Sequence, residues 1–510
     1  MKKEKKISAR ILISAAVLII LAILALWKAL SMGAADSRTE GPAAVQEDHQ
    51  EEQPDAADAA DAGEPETEAG QTDTEAPALT AETEPQAASG VLTAEEQTKT
   101  FLPDYTSAPL LSTTPIRGLT IEVGSSETEL RFNWLSPSGK KGQVKLTDTA
   151  TGEQMSFASE CTASNTVPGY YVNKAVVDGL TPGATYTYQA GNEDAWSPEY
   201  SYQCPDAALD SLTFLVTADA QIGQSDMEEP SVTAERWDSV LTRLRAYVPE
   251  ASFLFHLGDQ VADYGNETHY GLFLDHLALY SIPLAPVVGN HDVPNASSME
   301  KNGHPAAPYF YEHFNVPNRS SVGQSQYDQD GNYYFIRGNV LFIVLNSSSV
   351  QGSEAQEQYV AQVVSEHPDV RWRILAQHYP AYPGAARSHT DCKEYLARIA
   401  DANDIDLILG AHDHVYSRTA FVNGLCETLQ GPPYTSGSTA VNPEGTLYIT
   451  CSTSSGCLYH EPESEIRIVN QLQPYAPVAL RIDVTDTVLH MRAYQVDTWE
   501  VIDEYTIQKS

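Results

Sequence analysis

Apolar and polar positions change rhythm several times along the 510-residue chain. Residues 11–30 form a nearly unbroken apolar run with Lys28 as its only charge, long enough as a helix to cross about 30 Å of hydrocarbon. From about 115 to 205, short stretches alternate in period two, as in 119–123, 129–135, 143–146 and 185–190. Turn residues such as Ser136-Pro137-Ser138-Gly139 and Thr181-Pro182-Gly183 separate them. That rhythm predicts a small antiparallel sandwich with Trp134 as its core aromatic. Beyond Leu212 the pattern becomes continuous apolar runs, at 212–217, 251–257, 282–288, 340–345, 373–376, 405–409 and 446–450, the texture of strands buried on both faces. Trp237, Val240, Leu241, Leu244 and Val248 recur at helical spacing, predicting a helix over 235–248, and 354–365 and 392–402 read alike. Alternating strands and helices indicate one large α/β domain over 212–490 with its chemistry at the strand ends. Residues 491–510 are expected to pack on it as a tail.

Charge explains the N-terminal part. Residues 1–10 carry Lys2, Lys3, Lys5, Lys6 and Arg10, a basic flank expected to stay in the cytoplasm while the remainder is exported. Residues 11–30 then read as a single-pass anchor, or as a signal peptide removed near the small residues at 31–35. Between 36 and 100 the chain has 18 acidic residues against Arg38 and Lys99 and almost no large apolar residue, so residues 31–100 are expected to be a disordered acidic linker. The formal charge of the whole chain, −39, argues against a nucleic-acid polymer as partner, because such affinity comes from Lys and Arg displacing counterions from phosphates. Six cysteines are too few for a disulfide scaffold. Cys161 and Cys204 could pair, which export would permit, and Cys392, Cys426, Cys451 and Cys457 could form two disulfides in three ways if all pair within their domain.

The residues that follow the apolar runs of the α/β domain carry the chemistry. They are Asp219-Ala-Gln221, Gly258-Asp259, Gly289-Asn290-His291-Asp292, Gln377-His378 and Gly410-Ala411-His412-Asp413-His414. Any one of these is ordinary turn or cap chemistry, but five strand ends delivering carboxylate, amide and imidazole to one crevice suit two hard-to-borderline ions such as Fe, Zn or Mn. A carboxylate bridging ions about 3.5 to 4 Å apart is the arrangement used to clamp the oxygens of phosphoryl transfer. Alternation in an extended segment would put His412 and His414 on one face, and the cysteines do not join the set.

This ordered set resembles the calcineurin-like metallophosphoesterase superfamily, whose fold has mixed β-sheets flanked by helices. The stretch from Leu180 to Tyr188 resembles a strand of fibronectin type III domains, with Tyr186 as a corner tyrosine. A fibronectin-like domain followed by Asp-Ala-Gln-Ile-Gly and Gly-Asp-Gln-Val looks most like the bacterial purple acid phosphatase-like branch. The resemblance implies one metal held by Asp219, Asp259 and His414, with Gln221 as a further ligand, and a second held by Asp259, Asn290, His378 and His412. It further implies His291 as proton donor to the leaving group, oriented by Asp292, and attack on phosphorus by a hydroxide held between the metals. Two departures stand out. Gln221 occupies a position where many relatives have His, and Ala262 stands three residues after the bridging Asp259, where the plant and animal purple enzymes have a metal-binding Tyr. Tyr264 is close in sequence to that position.

Other residues read more plainly. His256 is expected to be a core or supporting residue, and His304, Tyr309, Arg387, His389 and Tyr416 lie in segments that could face the crevice. The function expected is an exported, membrane-tethered dinuclear phosphatase acting on small phosphate monoesters. The alternatives are a phosphodiesterase or nucleotide hydrolase on the same site, or a catalytically silent adhesin. Because residues 1–100 contain no ligand, a protein starting at Phe101 should be soluble and keep full turnover; a well-folded truncation without phosphatase activity would contradict this division of labour.

Overall fold

The computed structural model describes residues 115–206, 211–224, 229–293, 309–320, 331–347, 354–385, 392–424, 435–463, 465 and 467–510. The expected anchor, the linker, His304, Arg387, His389 and Cys426 lie outside these. No helix among the described residues is long and apolar enough to cross a membrane.

The N-terminal module contains β1 (Arg117–Val123), β2 (Leu130–Ser136), β3 (Gln143–Asp148), β4 (Gln154–Ala158), β5 (Glu160–Ala163), β6 (Tyr171–Val177), β7 (Thr185–Asn192), β8 (Ala195–Trp196) and β9 (Tyr200–Gln203). Its alternating apolar positions pack inward around Trp134, Phe132, Tyr186 and Tyr188, all fully buried. The Tyr186 hydroxyl accepts the Thr181 N–H at 2.9 Å, tying the turn before β7 to its own strand. Cys161 and Cys204 are free thiols, so the expected bridge is absent: Cys204 is buried in the core and Cys161 sits half-buried on β5.

The second domain follows as β10 (Ser211–Thr217), α1 (Pro230–Tyr247), β11 (Leu254–His256), α2 (Glu267–Leu274), β12 (Leu284–Pro286), α3 (Tyr309–His313), β13 (Tyr333–Arg337), β14 (Val340–Val344), α4 (Glu354–Glu366), β15 (Trp372–Ala376), α5 (Lys393–Asn403), β16 (Leu407–Gly410), β17 (Tyr416–Thr419), β18 (Ser438–Val441), β19 (Leu447–Thr450), β20 (Ile468–Leu472), β21 (Val478–Thr485), β22 (Val488–Gln495) and β23 (Glu500–Gln508). Two sheets face each other. One runs β18-β23-β22-β21-β10-β11-β12 and continues into β1-β2-β6-β5 of the module; the other runs β13-β14-β15-β16-β19-β17-β20. The module is therefore not an appended bead: β1 pairs in parallel with β12 at Glu122 and Leu284.

Strand alternation decides what fills the space between the sheets. Phe214, Phe253 and Phe255 of the first sheet meet Phe335 and Phe342 of the second, with ring centroids 5.2 to 6.2 Å apart. On the opposite face of the first sheet, His256 packs against Trp237 of α1 with the rings tilted, their centroids 5.4 Å apart. Leu341, Ile343 and Leu375 on the outer face of the second sheet are covered by Tyr359, Val360 and Val363 of α4 and by Leu396 and Ile399 of α5. Pro230 opens α1 where its missing N–H has no intrahelical partner to lose, and the Asn266 side chain caps α2 by accepting from Thr268 and His269.

Residues 491–510, expected as a packed tail, are instead structural members of the first sheet, because β21, β22 and β23 alternate inward and outward residues as a half-buried antiparallel meander. Asp503 of β23 also crosses to the other sheet. It accepts from Arg418 Nε at 2.6 Å, Arg418 Nη2 at 3.1 Å and the Tyr416 hydroxyl at 2.7 Å, all fully or almost fully buried on β17. Tyr416 thus belongs to the core rather than the crevice. Burial opposes ionisation of Asp503, yet the Arg418 hydrogen bonds hold its carboxyl below the ordinary value. The depressed folded value means the pair's contribution is complete above the unfolded value of about 4 and is lost as pH falls through the folded one. Asp503→Ala leaves Arg418 buried without its partner and should cost about 3–5 kcal/mol in urea unfolding; unchanged stability would show that the clamp contributes nothing.

Candidate metal centre

Every candidate ligand sits where a strand gives way to a loop, and at five of these positions the backbone is strained. Of ten non-glycine residues with positive φ among those described, five are Asp219 (48°), Gln221 (36°), Asp259 (53°), His412 (73°) and His414 (53°). L-residues adopt this region at a cost, which the surroundings must overcome. Glycine is required beside them: a Cβ on Gly289 would lie 2.1 Å from Asp259 Oδ1 and 2.2 Å from its backbone nitrogen. His412 and His414 converge through this left-handed backbone, not through the alternation of an extended strand.

The side chains form two overlapping groups. Asp259, His378 and His412 offer ligand atoms within 4.8 Å of one another. Asn290 joins them, its Oδ1 lying 3.1 Å from His378 Nε2, while Asp259 Oδ2 is 3.3 Å from the same nitrogen. In the second group Asp219 Oδ1 lies 3.4 Å from His414 Nε2, and Asp219 Oδ2 accepts the His412 N–H at 3.1 Å. Gln221 lies between them, its Nε2 donating to Asp259 Oδ2 at 2.9 Å. In this orientation Gln221 braces the bridging carboxylate as a donor.

Charge gives the arrangement its purpose. Asp219 and Asp259 are fully buried, and their ion pairs among the described residues are with histidines, not with Lys or Arg. Burial pushes both carboxyls up, but His414 beside Asp219 and His378 beside Asp259 carry each below its ordinary value. Burial lowers His378, yet Asp259 and Asp219 together lift it to about 9. Desolvation, with His378 beside it, pushes the half-buried His412 down to about 4.

The donor set fits metal ions. Asp219 Oδ1 is buried without a hydrogen-bond partner. His378 Nδ1 is held by the Leu257 carbonyl at 2.9 Å and His414 Nδ1 by the Leu458 carbonyl at 2.8 Å, which leaves each Nε2 for the cluster. A backbone carbonyl fixing one ring nitrogen while the other faces a metal is the usual arrangement of metal-ligating histidines.

One expected role changes. The Asp292 carboxylate does not orient His291. It accepts from the backbone N–H groups of Asp259 (2.8 Å), Gln260 (2.9 Å) and Gly289 (2.7 Å), so it holds the two glycine loops together. His291 is fixed by its neighbours instead: its N–H donates to Asp259 Oδ1 at 2.8 Å and its Nδ1 meets the Ala262 carbonyl at 2.8 Å. Tyr264 packs against Tyr309, ring centroids 5.0 Å apart. His256 is buried in the sheet, hydrogen-bonded to Thr217 at 2.9 Å and pushed down to about 3 by burial.

Sequence reasoning missed three neighbours. Tyr379 lays its ring against His412 at 4.7 Å, and His460 stacks on His414 at 5.0 Å. Cys457, excluded from the set on sequence grounds, places its Sγ 3.4 Å from Gln221 Oε1 and 3.6 Å from the Asp219 carbonyl. Cys451 and Cys457 are both free thiols, which removes the expected pair of disulfides. The segment after β19 was visible as a further strand exit, but between Cys451, which is buried in the core, and Cys457 its Ser/Thr run carries no ligand-type residue.

Paired carboxylates and imidazoles at the strand ends of a two-sheet α/β domain define a metallophosphoesterase. Residues 212–416 match the calcineurin-like phosphoesterase family and residues 116–204 the purple acid phosphatase N-terminal domain, so the chain carries these two domains in succession and is a hydrolase of the metallophosphoesterase type. Among solved structures, it is similar to the purple acid phosphatase PPD1 from yellow lupin (Lupinus luteus) seeds, at 15% identity over 78% of this chain and 75% of that one, with a TM-score of 0.61. It is likewise similar to PhoD, at 13% identity over 79% and 92%, with a TM-score of 0.54. At such identities the likeness is one of fold. No curated protein matches the chain.

Asp259 belongs to the first group and accepts from Gln221 beside the second; because it is the expected bridge, Asp259→Asn should release at least one equivalent of metal and lower turnover by orders of magnitude. Full metal content by elemental analysis together with normal turnover would show that the bridge lies elsewhere.

Proposed function

We propose that this chain hydrolyses small phosphate monoesters outside the cell, held at the membrane by residues 11–30 or secreted after their removal. The observation that carries the reading is His291, locked beside the bridging carboxylate by two hydrogen bonds. Its Nδ1 is committed to the Ala262 carbonyl, so the ring presents Nε2 as the nitrogen that can give a proton to an ester oxygen. The likeness to a lupin protein named as an acid phosphatase supports a monoester substrate, and the basic flank before an apolar run supports export.

Asp219, Asp259, Asn290, His378, His412 and His414 would hold two ions, of Fe, Zn or Mn. Bound there, the ions supply positive charge for the phosphoryl oxygens and favour ionisation of the attacking water. The chain's own residues do the rest. Asp292 keeps the Asp259 and Gly289 loops in register, Gln221 steadies Asp259 Oδ2, and Tyr379 walls the site beside His412.

Aryl phosphate monoesters should be turned over faster than aryl diesters; the reverse order would make the chain a phosphodiesterase. A positioned acid typically contributes about 10²- to 10⁴-fold, most where the leaving group is poor. His291→Ala should therefore keep both metals yet lose more kcat for alkyl than for nitrophenyl phosphates. Equal losses would end the proton-donor role, and loss of a metal would make His291 a ligand.

A further inference from the structure

The loop between β19 and β20 is laced to the strand exit that carries Asp219. Three successive hydroxyls do this. Thr453 Oγ1 donates to the Asp219 carbonyl at 2.8 Å, Ser455 Oγ to the Ala220 carbonyl at 2.7 Å, and Ser454 Oγ meets both the N–H and the carbonyl of Ala218. All three side chains are buried, so the segment has few other positions open to it. Two residues beyond Ser455 the loop delivers the half-buried Cys457, a free thiol. Its Sγ lies 3.4 Å from Gln221 Oε1 and 3.4 Å from Thr453 Oγ1, and it stands within hydrogen-bonding reach of the His414 ring.

A second observation points to a ligand at the same spot. Asp219 Oδ1, fully buried, has no hydrogen-bond partner and lies 3.4 Å from His414 Nε2. The Asp219 carboxylate, from the exit of β10, and the Cys457 sulfur, from the exit of β19, thus both border the His414 ring. We propose that Cys457 is a ligand of the metal held by Asp219 and His414, which gives the two metal positions different chemistry: one bound by oxygen and nitrogen alone, the other by oxygen, nitrogen and sulfur. A thiolate is softer than the remaining donors and shifts the preference of its position toward Zn or Fe and away from Mn. As the sulfur–metal bond forms the S–H bond is lost, its proton passing to bulk water.

The assignment rests on the dimetal reading, and cobalt(II) separates the two. Metal-free full-length protein should take up two equivalents of cobalt, and one of them should raise a near-ultraviolet thiolate-to-cobalt charge-transfer band. Cys457→Ser should keep the visible cobalt bands, lose the charge-transfer band and hold one ion at least ~10-fold more weakly, the lower end of what a lost supporting contact costs. In the unaltered protein, iodoacetamide should label Cys457 when metal is absent and spare it when cobalt is bound, read on its peptide by mass spectrometry. Two bound cobalt ions with no charge-transfer band, a band unchanged in the variant, or labelling indifferent to metal would overturn the sulfur ligand and leave the dimetal reading standing. Failure to bind cobalt at all would overturn both.

Discussion

Two carboxylates, Asp219 and Asp259, are buried close enough to feel each other's charge, and no Lys or Arg pairs with them among the described residues. Burying one unpaired carboxylate is costly, and burying two in company adds repulsion to desolvation. The histidines answer part of this by carrying positive charge, but they are themselves buried and pay a desolvation cost of their own. Metal ions would relieve all of these costs together. The strained backbone, the glycines beside it and the carbonyls that fix the imidazole rings are what remains of the arrangement when that cation demand is taken as given.

A site that demands ions must also be rigid, or its acids would turn to solvent. Rigidity here comes from behind the ligands. Asp292 spends its carboxylate on backbone N–H groups of the Asp259 and Gly289 loops, and the hydroxyls of Thr453, Ser454 and Ser455 do the same for the Asp219 loop with its carbonyls and one N–H. These residues touch no substrate in the proposed chemistry. Their service is to make left-handed aspartates and histidines the cheapest conformation available, which is why an acidic side chain adjacent to His291 in sequence looked catalytic and is not its partner in space.

Much of the site was legible because each ligand follows a continuous apolar run, and a buried parallel strand can end only in a loop at the sheet's edge. Asp219, Asp259, Asn290, His378, His412 and His414 all stood out as candidates that way. What escaped was written in a weaker code. The strands over 478–508 alternate inward and outward residues, a pattern equally suited to a tail folded over a surface, and only pairing with β10 reveals them as sheet. Tyr416 follows the last histidine by two residues, but the strand it begins turns into the core, where Asp503 awaits it. Cys457 is reached only through hydroxyl contacts 200 and more residues apart in sequence, and local patterning does not encode them.

The place of β21 in the first sheet sets an order of events for the chain as it is made. β10, the strand that leads into Asp219, is edged on one side by β11 and on the other by β21. A ribosome emits β10 and all the ligands long before it emits β21, and the Asp503 clamp comes later still. Until then the strand bearing the first acid has an open edge and an uncovered apolar neighbour, a state prone to wrong pairing. The catalytic centre therefore draws on the late part of the chain: a chain cut short before β21 has every ligand, yet the strand that leads into Asp219 keeps one edge open.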